Sequence, residues 1–491
     1  PNAAVPVQDY AIAMHASSLV VDGGTLQIGI GSLGDAVAHC CILRHEHNKD
    51  YADLLAALSA GQATAAQALG RFDEGLYVST EMFVNGMMHL VDRGIVKRRV
   101  YDDLFLQRAL NAGDIADVID HRFFEHALAE GWLCARLDER ALDKLRYWGA
   151  IDATVSLSGD GLVINGTQVA NDLSDPQTLE ALLSVAEGRA LANGRYLHGG
   201  FFLGPADFYG KLRSLDDDAR QSICMTGVRR TNQLLLDYPL YSAQRRDARF
   251  INTGMMVSLN GCVASDALED GTVISGVGGQ YNFVAMAHDL PGARSVLCFR
   301  STRGHGKGLQ SNIVPHYGYA TIPKHLRDIV ITEYGIADLR GQSDAEVIKR
   351  LVNIADARFQ DELLDYAKAH HKLPADYEVP AWARNNTPER IAGTLHSARE
   401  SNLLPDYPFG TDLTDEELAL AASLRRIKAL SEEPTHFVGR AFRALLHREN
   451  EEAARPYLER IHLEHPETPR DFLIQQLLLL DLEERGLLKV S

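Results

Sequence analysis

The chain has 491 residues, 46% hydrophobic and 23% charged, with 40 Gly and 17 Pro, proportions of a large globular protein and not of a disordered, collagenous or disulfide-stapled one. Lys and Arg total 49 against 66 Asp and Glu, a formal charge of −17, which leaves nucleic acid and anionic membranes without electrostatic support in the bulk. Cys40, Cys41, Cys134, Cys224, Cys262 and Cys298 form no CxxC pair or zinc-spaced cluster, and no apolar run reaches the roughly 18 residues of a membrane span, so a cytoplasmic protein with reduced thiols is expected.

The start at Pro1 lacks the order of a secretory signal and reads as a fragment or processed chain. Ala11 to Val21 predicts a helix and Thr25 to Gly29 a buried strand; Gly29-Ile30-Gly31 then turns into a helix through Ala38. Polar and Ala-rich helical turns fill Leu43 to Gly75. Leu76 to Thr80 is β-branched and aromatic enough for a strand, which ends at Glu81. Residues 100–250 mix helices, such as Asp143 to Trp148, with strands, such as Gly161 to Asn165, and show no chemical motif. Further strands are predicted at Phe250 to Leu259, Thr272 to Gly276, Ser295 to Arg300 and Ile329 to Thr332, with helices from Ser343 to Ala369. The Pro-, Asn- and Gly-rich stretch Asn385 to Thr411 reads as a boundary. Asp415 to Ser491 has helical periodicity, either as a helical cap or as a short stack of helix pairs.

The pattern predicts an α/β protein with open, mostly parallel sheets flanked by helices and an all-α C-terminal extension. The expected divisions are 1–100, 101–235, 236–400 and 410–491. Chemistry is expected where glycine exposes backbone N–H groups: Gly29 to Gly34, Gly276 to Phe283, and Gly304 to Gly308 with Arg300, Arg303 and Lys307 nearby. The first loop fits G-x-G-x-x-G, and Asp50 stands at the spacing of a dinucleotide-binding acid, which keeps a dehydrogenase as a minor hypothesis. Glu81 and Glu333 each follow a predicted strand and suggest one shared sheet edge. The 19 His are scattered, and His45/His47 or His370/His371 make no metal constellation.

Four segments together resemble the acetyl-CoA hydrolase/transferase family of class I CoA-transferases: Tyr77 to Gly86, Ile274 to Phe283, Ser311 to Pro315 and Thr332 to Gly341. The resemblance covers roughly residues 10–100 and 235–370. It implies coenzyme A or an acyl-CoA as substrate, with no metal, and a glutamate nucleophile matching Glu81 that attacks the thioester and then carries CoA as a glutamyl thioester. A small acetate-type acid would be the acceptor in a transferase and water in a hydrolase. The resemblance assigns oxyanion donors to Gly31 and Gly279, an acceptor-side role to Glu333, and CoA contacts to Gly29, Ile30, Gly31, Asn260, Ser275, Gly278, Gly279, Arg300 and Lys307.

The sequence also departs from the family. Asn282 and Asn312 replace an Asp and an Arg, and Asp237-Tyr238-Pro239 stands in for an Asn-x-Pro turn near the active glutamate, where an acid would raise the nucleophile's pKa. These differences support a second reading, a CoA-binding protein without turnover. The family's first α/β half is expected to be missing: removed, supplied by a separate chain, or replaced by the inserted segment 101–235. A homo-oligomer is expected, with no nucleic acid or membrane partner.

Overall fold

The computed structural model describes residues 3–59, 62, 67–431, 434–446 and 451–488. Its centre is an eight-stranded sheet. In chain order the strands are β1 (Thr25–Ile28), β2 (Tyr77–Val84), β3 (Leu197–Leu203), β4 (Ile223–Met225), β5 (Arg249–Thr253), β6 (Arg294–Cys298), β7 (Ile329–Thr332) and β8 (Gly335–Asp338). Across the sheet they lie β8-β7-β6-β5-β1-β2-β3-β4. All neighbours run parallel except the hairpin pair β7 and β8. The chain therefore builds outward from β1 on one side, then returns to β1's other flank at β5. That reversal is a topological switch point, where a crevice opens at the carboxyl ends of the strands.

Alternate side chains leave this sheet on opposite faces. Val296, Cys298, Ile329 and Ile331 enter a core shared with α1 (Val7–Ser17), α2 (Ser32–Glu46), α3 (Asn48–Ser59) and α4 (Asn85–Asp92). Leu297 and Val330 enter a second core. Burial on both faces explains why these strands read as short continuous apolar runs and not as alternating ones. The second core takes Val347 and Leu351 from α7 (Asp344–Asn353), and Leu363 and Leu364 from α8 (Ala357–Ala369). Two further helices, α5 (Tyr238–Gln244) and α6 (Gln280–Asp289), cover Phe250 of β5.

Some elements differ from the sequence reading for identifiable reasons. Helix α1 ends at Ser17, short of Val21, where the Ser17 and Ser18 hydroxyls turn back to the carbonyls of Met14 and His15. Strand β2 runs on through Glu81 to Val84 because β3 pairs with it as far as Val84 opposite Leu203. The run Phe250 to Leu259 breaks at Gly254, beyond which Met256–Ser258 joins a small separate sheet. Thr272 to Gly276 is a loop: Val273 is 72% exposed, with one isolated bridge to Ala267. The stretch Asn385 to Thr411 contains α9 (Pro388–Glu400), capped by Thr387 with Pro388 in its first turn. Its Ile391, Leu395 and Ala398 lie in the same core as α1.

Residues 101–191 bury their own cluster, from Tyr101 through Trp148 and Leu162 to Leu191, around the antiparallel strands Val155–Ser158, Gly161–Ile164 and Thr167–Ala170. By contact density the chain divides into two compact units. One holds Ala3–Ser301 and Ser311–Phe409, and includes everything above. The other holds Thr302–Gln310 and the chain from Gly410 on. Its helices α10 (Asp415–Ser431), α11 (Pro434–Leu446), α12 (Glu451–Arg460) and α13 (Pro469–Glu484) share one core, in which Leu477 to Leu480 are fully buried. Helix α13 packs against each of the other three, unlike a stack in which each pair meets only its neighbours. Among the described residues no helix is long and apolar enough to cross a membrane.

Candidate active site

The crevice at the switch point is a cavity of about 610 Å³. Its lining comes from the carboxyl ends of adjacent strands: Ile28, Gly29 and Ile30 after β1, Glu81 and Met82 in β2, Phe201 to Leu203 in β3, and Asn252 and Thr253 in β5. The loop from Ser275 to Gly279 closes it, followed by Gln280 and Phe283 of α6.

Glu81 is the carboxylate of this cavity. Its Oε2 accepts a hydrogen bond of 2.9 Å from Nδ2 of Asn232. Asn232 is itself held: its Oδ1 accepts from the Thr231 hydroxyl at 2.8 Å. The guanidinium of buried Arg245, just past α5, donates to the carbonyls of Arg230 and Gln233 on either side of this pair. Gly279 lies against the same carboxylate. A β-carbon there would stand 2.1 Å from Oε2 of Glu81 and 2.6 Å from Nδ2 of Asn232, so only glycine permits the approach. As the residue preceding α6 it carries no capping side chain, and the first turn of that helix presents N–H groups without intrahelical partners.

The turn after β1 also has a backbone that requires glycine. Gly31 has φ +98° and begins α2, a conformation that L side chains rarely adopt. Gly29 already donates its N–H to the carbonyl of Ile251 at 2.9 Å. Beneath the cavity, Gln27 and Asn252 join β1 to β5 through a reciprocal amide pair, at 3.1 and 3.0 Å.

This arrangement, a carboxylate held by an amide on a strand and pressed against a glycine loop that opens a helix, is assembled largely from the chain's middle third. Residues 204–367 match the model of the acetyl-CoA hydrolase/transferase C-terminal domain. Over those residues the chain is similar to the C-terminal domain of that family. Among similar curated proteins are 4-hydroxybutyrate coenzyme A transferase of Clostridium kluyveri, 35% identical over 123 residues, 23% of this chain and 28% of that one, and a probable butyrate:acetyl-CoA coenzyme A-transferase of Syntrophomonas wolfei, 35% identical over 134 residues, 26% and 30%. Butyryl-CoA:acetate CoA-transferase of Anaerostipes caccae is 31% identical over 140 residues, 28% and 29%. The chain thus matches under a third of the length of each of these relatives. Among solved structures, RipA of Yersinia pestis aligns with 76% of this chain and 55% of its own at 20% identity and a TM-score of 0.44.

Of the residues singled out in the sequence, Glu81, Gly29, Ile30, Ser275, Gly278 and Gly279 meet around this cavity, with Gly31 beside Ile30. Glu333 does not line it. It sits in the β7–β8 turn, 3% exposed, and accepts from the Ser301 N–H at 2.8 Å and the Ser301 hydroxyl at 2.6 Å; burial raises its pKa. Arg300 is paired at 2.7 Å with the buried Asp9. Asn260 is exposed and closes its own turn, accepting from Ser258 and Cys262. Lys307 is exposed in the short helix Gly306–Gly308 of the other unit. Asp50 lies in the first turn of α3, not at the tip of a second strand, which removes the dinucleotide geometry.

The amide beside Glu81 comes from Asn232. Asp237, the acid expected near the nucleophile, spends its carboxylate on capping α5 through the Leu240 N–H. Sequence reading also passed over Phe201, Phe202 and Leu203. A strand ending in three consecutive large apolar residues was the available signal.

Proposed function

We propose that this protein is a CoA-transferase that moves CoA from an acyl-CoA to a small carboxylic acid through a glutamyl-CoA thioester on Glu81. The observation that carries the reading is the Glu81 carboxylate, bound by the Asn232 amide and set against Gly279 inside the cavity at the strand ends. Glu81 attacks the thioester carbonyl; its C–S bond breaks, leaving an acyl-glutamyl anhydride and CoA thiolate. The thiolate then adds to the glutamyl carbonyl and expels the acyl group as its carboxylate, which gives the glutamyl-CoA thioester. A second carboxylate reverses these two steps and leaves as the new acyl-CoA.

Every step passes through a tetrahedral oxyanion, so fixed donors contribute most when they already face the reacting oxygen. The Ile30 and Gly31 N–H groups and the first turn of α6 after Gly279 would supply such donors. Asn232 has two roles in sequence: it orients the carboxylate for attack, and its N–H faces the glutamyl oxygen when that carbonyl is attacked in turn. Ser275 and Gly278 would contact CoA at the cavity mouth. Glu333 and Arg300 support the fold at the ends of β7 and β6, not the chemistry.

The test is acceptor dependence. Butyryl-CoA incubated with acetate is expected to yield acetyl-CoA at a rate that rises with acetate and saturates. Thiol release independent of added acid, with no acetyl-CoA formed, would identify a hydrolase instead. Tight CoA binding without turnover would favour the non-catalytic reading.

A further inference from the structure

Two elements hold the Asn232 amide on Glu81, and both reach one acid. The short helix Val228–Thr231 leads directly into Asn232, and the guanidinium of its Arg230 donates to the Asp102 carboxylate. Helix α5 ends at Gln244, whose buried side chain donates to the same Asp102 oxygen at 3.0 Å and to the Tyr101 carbonyl at 2.8 Å. Arg245 follows directly and grips the carbonyls of Arg230 and Gln233 on either side of Thr231 and Asn232. Asp102 thus collects one donor from each arm of the clamp.

The backbone at Asp102 is fixed by its neighbours. Tyr101 is buried and meets Trp148 edge-on inside the 101–191 core. Asp103 caps the helix Leu104–Ala112 through the Leu106 N–H and accepts from the Trp132 indole at 2.9 Å. An acceptor on such a frame loses little freedom when it takes up its donors.

Charge gives Asp102 a second task. The Arg230 and Arg245 guanidinium groups stand over the same Tyr241 ring, 5.1 and 5.0 Å from its centre. Arg245 makes no ion pair among the described residues, and burial pushes its pKa down to about 10. Burial acts on Arg230 in the same direction, but the Asp102 hydrogen bond and charge outweigh it and its pKa is raised. Without Asp102, two like charges would share one ring with no carboxylate bonded to either, and Arg230 would turn out to solvent.

Resting on the Glu81 reading above, we propose that Asp102, at the head of the 101–191 segment, is a positioning residue for the site: it anchors Arg230 and Gln244, and through them holds Asn232 on the Glu81 carboxylate. Asp102 does not line the cavity, so the segment is tied to turnover without touching substrate.

The experiment is steady-state kinetics with butyryl-CoA and acetate. Asp102→Asn, which keeps the shape and removes the charge, is expected to lower kcat about tenfold at constant KM for butyryl-CoA, and Asp102→Glu to recover most of the loss. Combined with Asn232→Ala, Asp102→Asn is expected to lower kcat no further than Asn232→Ala alone; a purely structural role would add its own loss. Arg230→Gln is expected to reproduce the Asp102→Asn loss, which gives an independent reading if either variant folds poorly. An Asp102→Asn enzyme with the parent's kcat, or a loss that adds to that of Asn232→Ala, overturns the positioning role and leaves Glu81 in place. Absence of turnover in the parent, with no CoA carried on the Glu81 peptide, overturns both.

Discussion

A methyl group at position 279 would occupy the space of the Glu81 carboxylate, so Gly279→Ala is expected to abolish turnover while the protein keeps its circular dichroism and unfolding midpoint. A variant as active as the parent would show that Glu81 does not work in this position. Asn232 acts differently, through one charge-assisted hydrogen bond that contributes about 1.5–3 kcal/mol. Asn232→Ala is therefore expected to lower kcat about 10- to 100-fold with KM for the acyl-CoA unchanged; a rise in KM at constant kcat would assign Asn232 to binding. Glu81 was legible because it sits in the segment Tyr77 to Gly86 that resembles the family's glutamate motif; its place at the end of an apolar run would not by itself have set it apart from a surface carboxylate. Asn232 was not, because an amide in a divergent segment has no periodicity or composition to mark it, and its partner is 151 residues away.

At the scale of elements, the segment leading into α5 is what aims Asn232. Arg245 bridges the carbonyls of Arg230 and Gln233, which makes it a positioning residue. Arg245→Met is expected to lower kcat about tenfold at constant KM, and the double variant with Asn232→Ala to fall no further than Asn232→Ala alone. Additive losses would separate Arg245 from the site. Helix α2 offers a test of a different kind. Burial raises Asp35, in its first turn, from 3.8 to about 6, so between those values the folded state keeps a proton that the unfolded state has released. Stability is lost as pH rises through that window. Asp35→Asn removes the cost, about 3 kcal/mol at pH 7.5, less the carboxylate's favourable interaction with the helix N-terminus. The variant's urea midpoint is expected to exceed the parent's at pH 7.5 and to match it below pH 4; equal midpoints at both would place Asp35 in solvent.

Elements were most legible where one rule acts alone. Ile329 to Thr332 is a buried β-branched run and came out as read, whereas Thr272 to Gly276 has the same residue types but no strand beside it to pair with. The helix α9 was hidden because Thr387-Pro388, a cap and first turn, also has the composition of a loop.

For the whole molecule, the separate clusters at residues 101–191 and in the α10–α13 unit imply that the protein does not unfold in one step. Calorimetry is expected to give a calorimetric enthalpy above the van't Hoff value, and a ratio of one would show that these cores melt with the sheet. The parallel architecture followed from the spacing of short apolar runs between helices, but strand order did not. That β5 returns beside β1 is set by long-range packing, and it is this return that places Asn252, Thr253 and the 276–279 loop opposite Glu81. The central claim is the covalent role of Glu81, and the most direct measurement is mass spectrometry of an acid digest after incubation with butyryl-CoA and no acceptor. A CoA adduct on the peptide containing Glu81, lost in Glu81→Gln, is the result expected; an unmodified peptide from protein that turns over butyryl-CoA would contradict the glutamyl-CoA route.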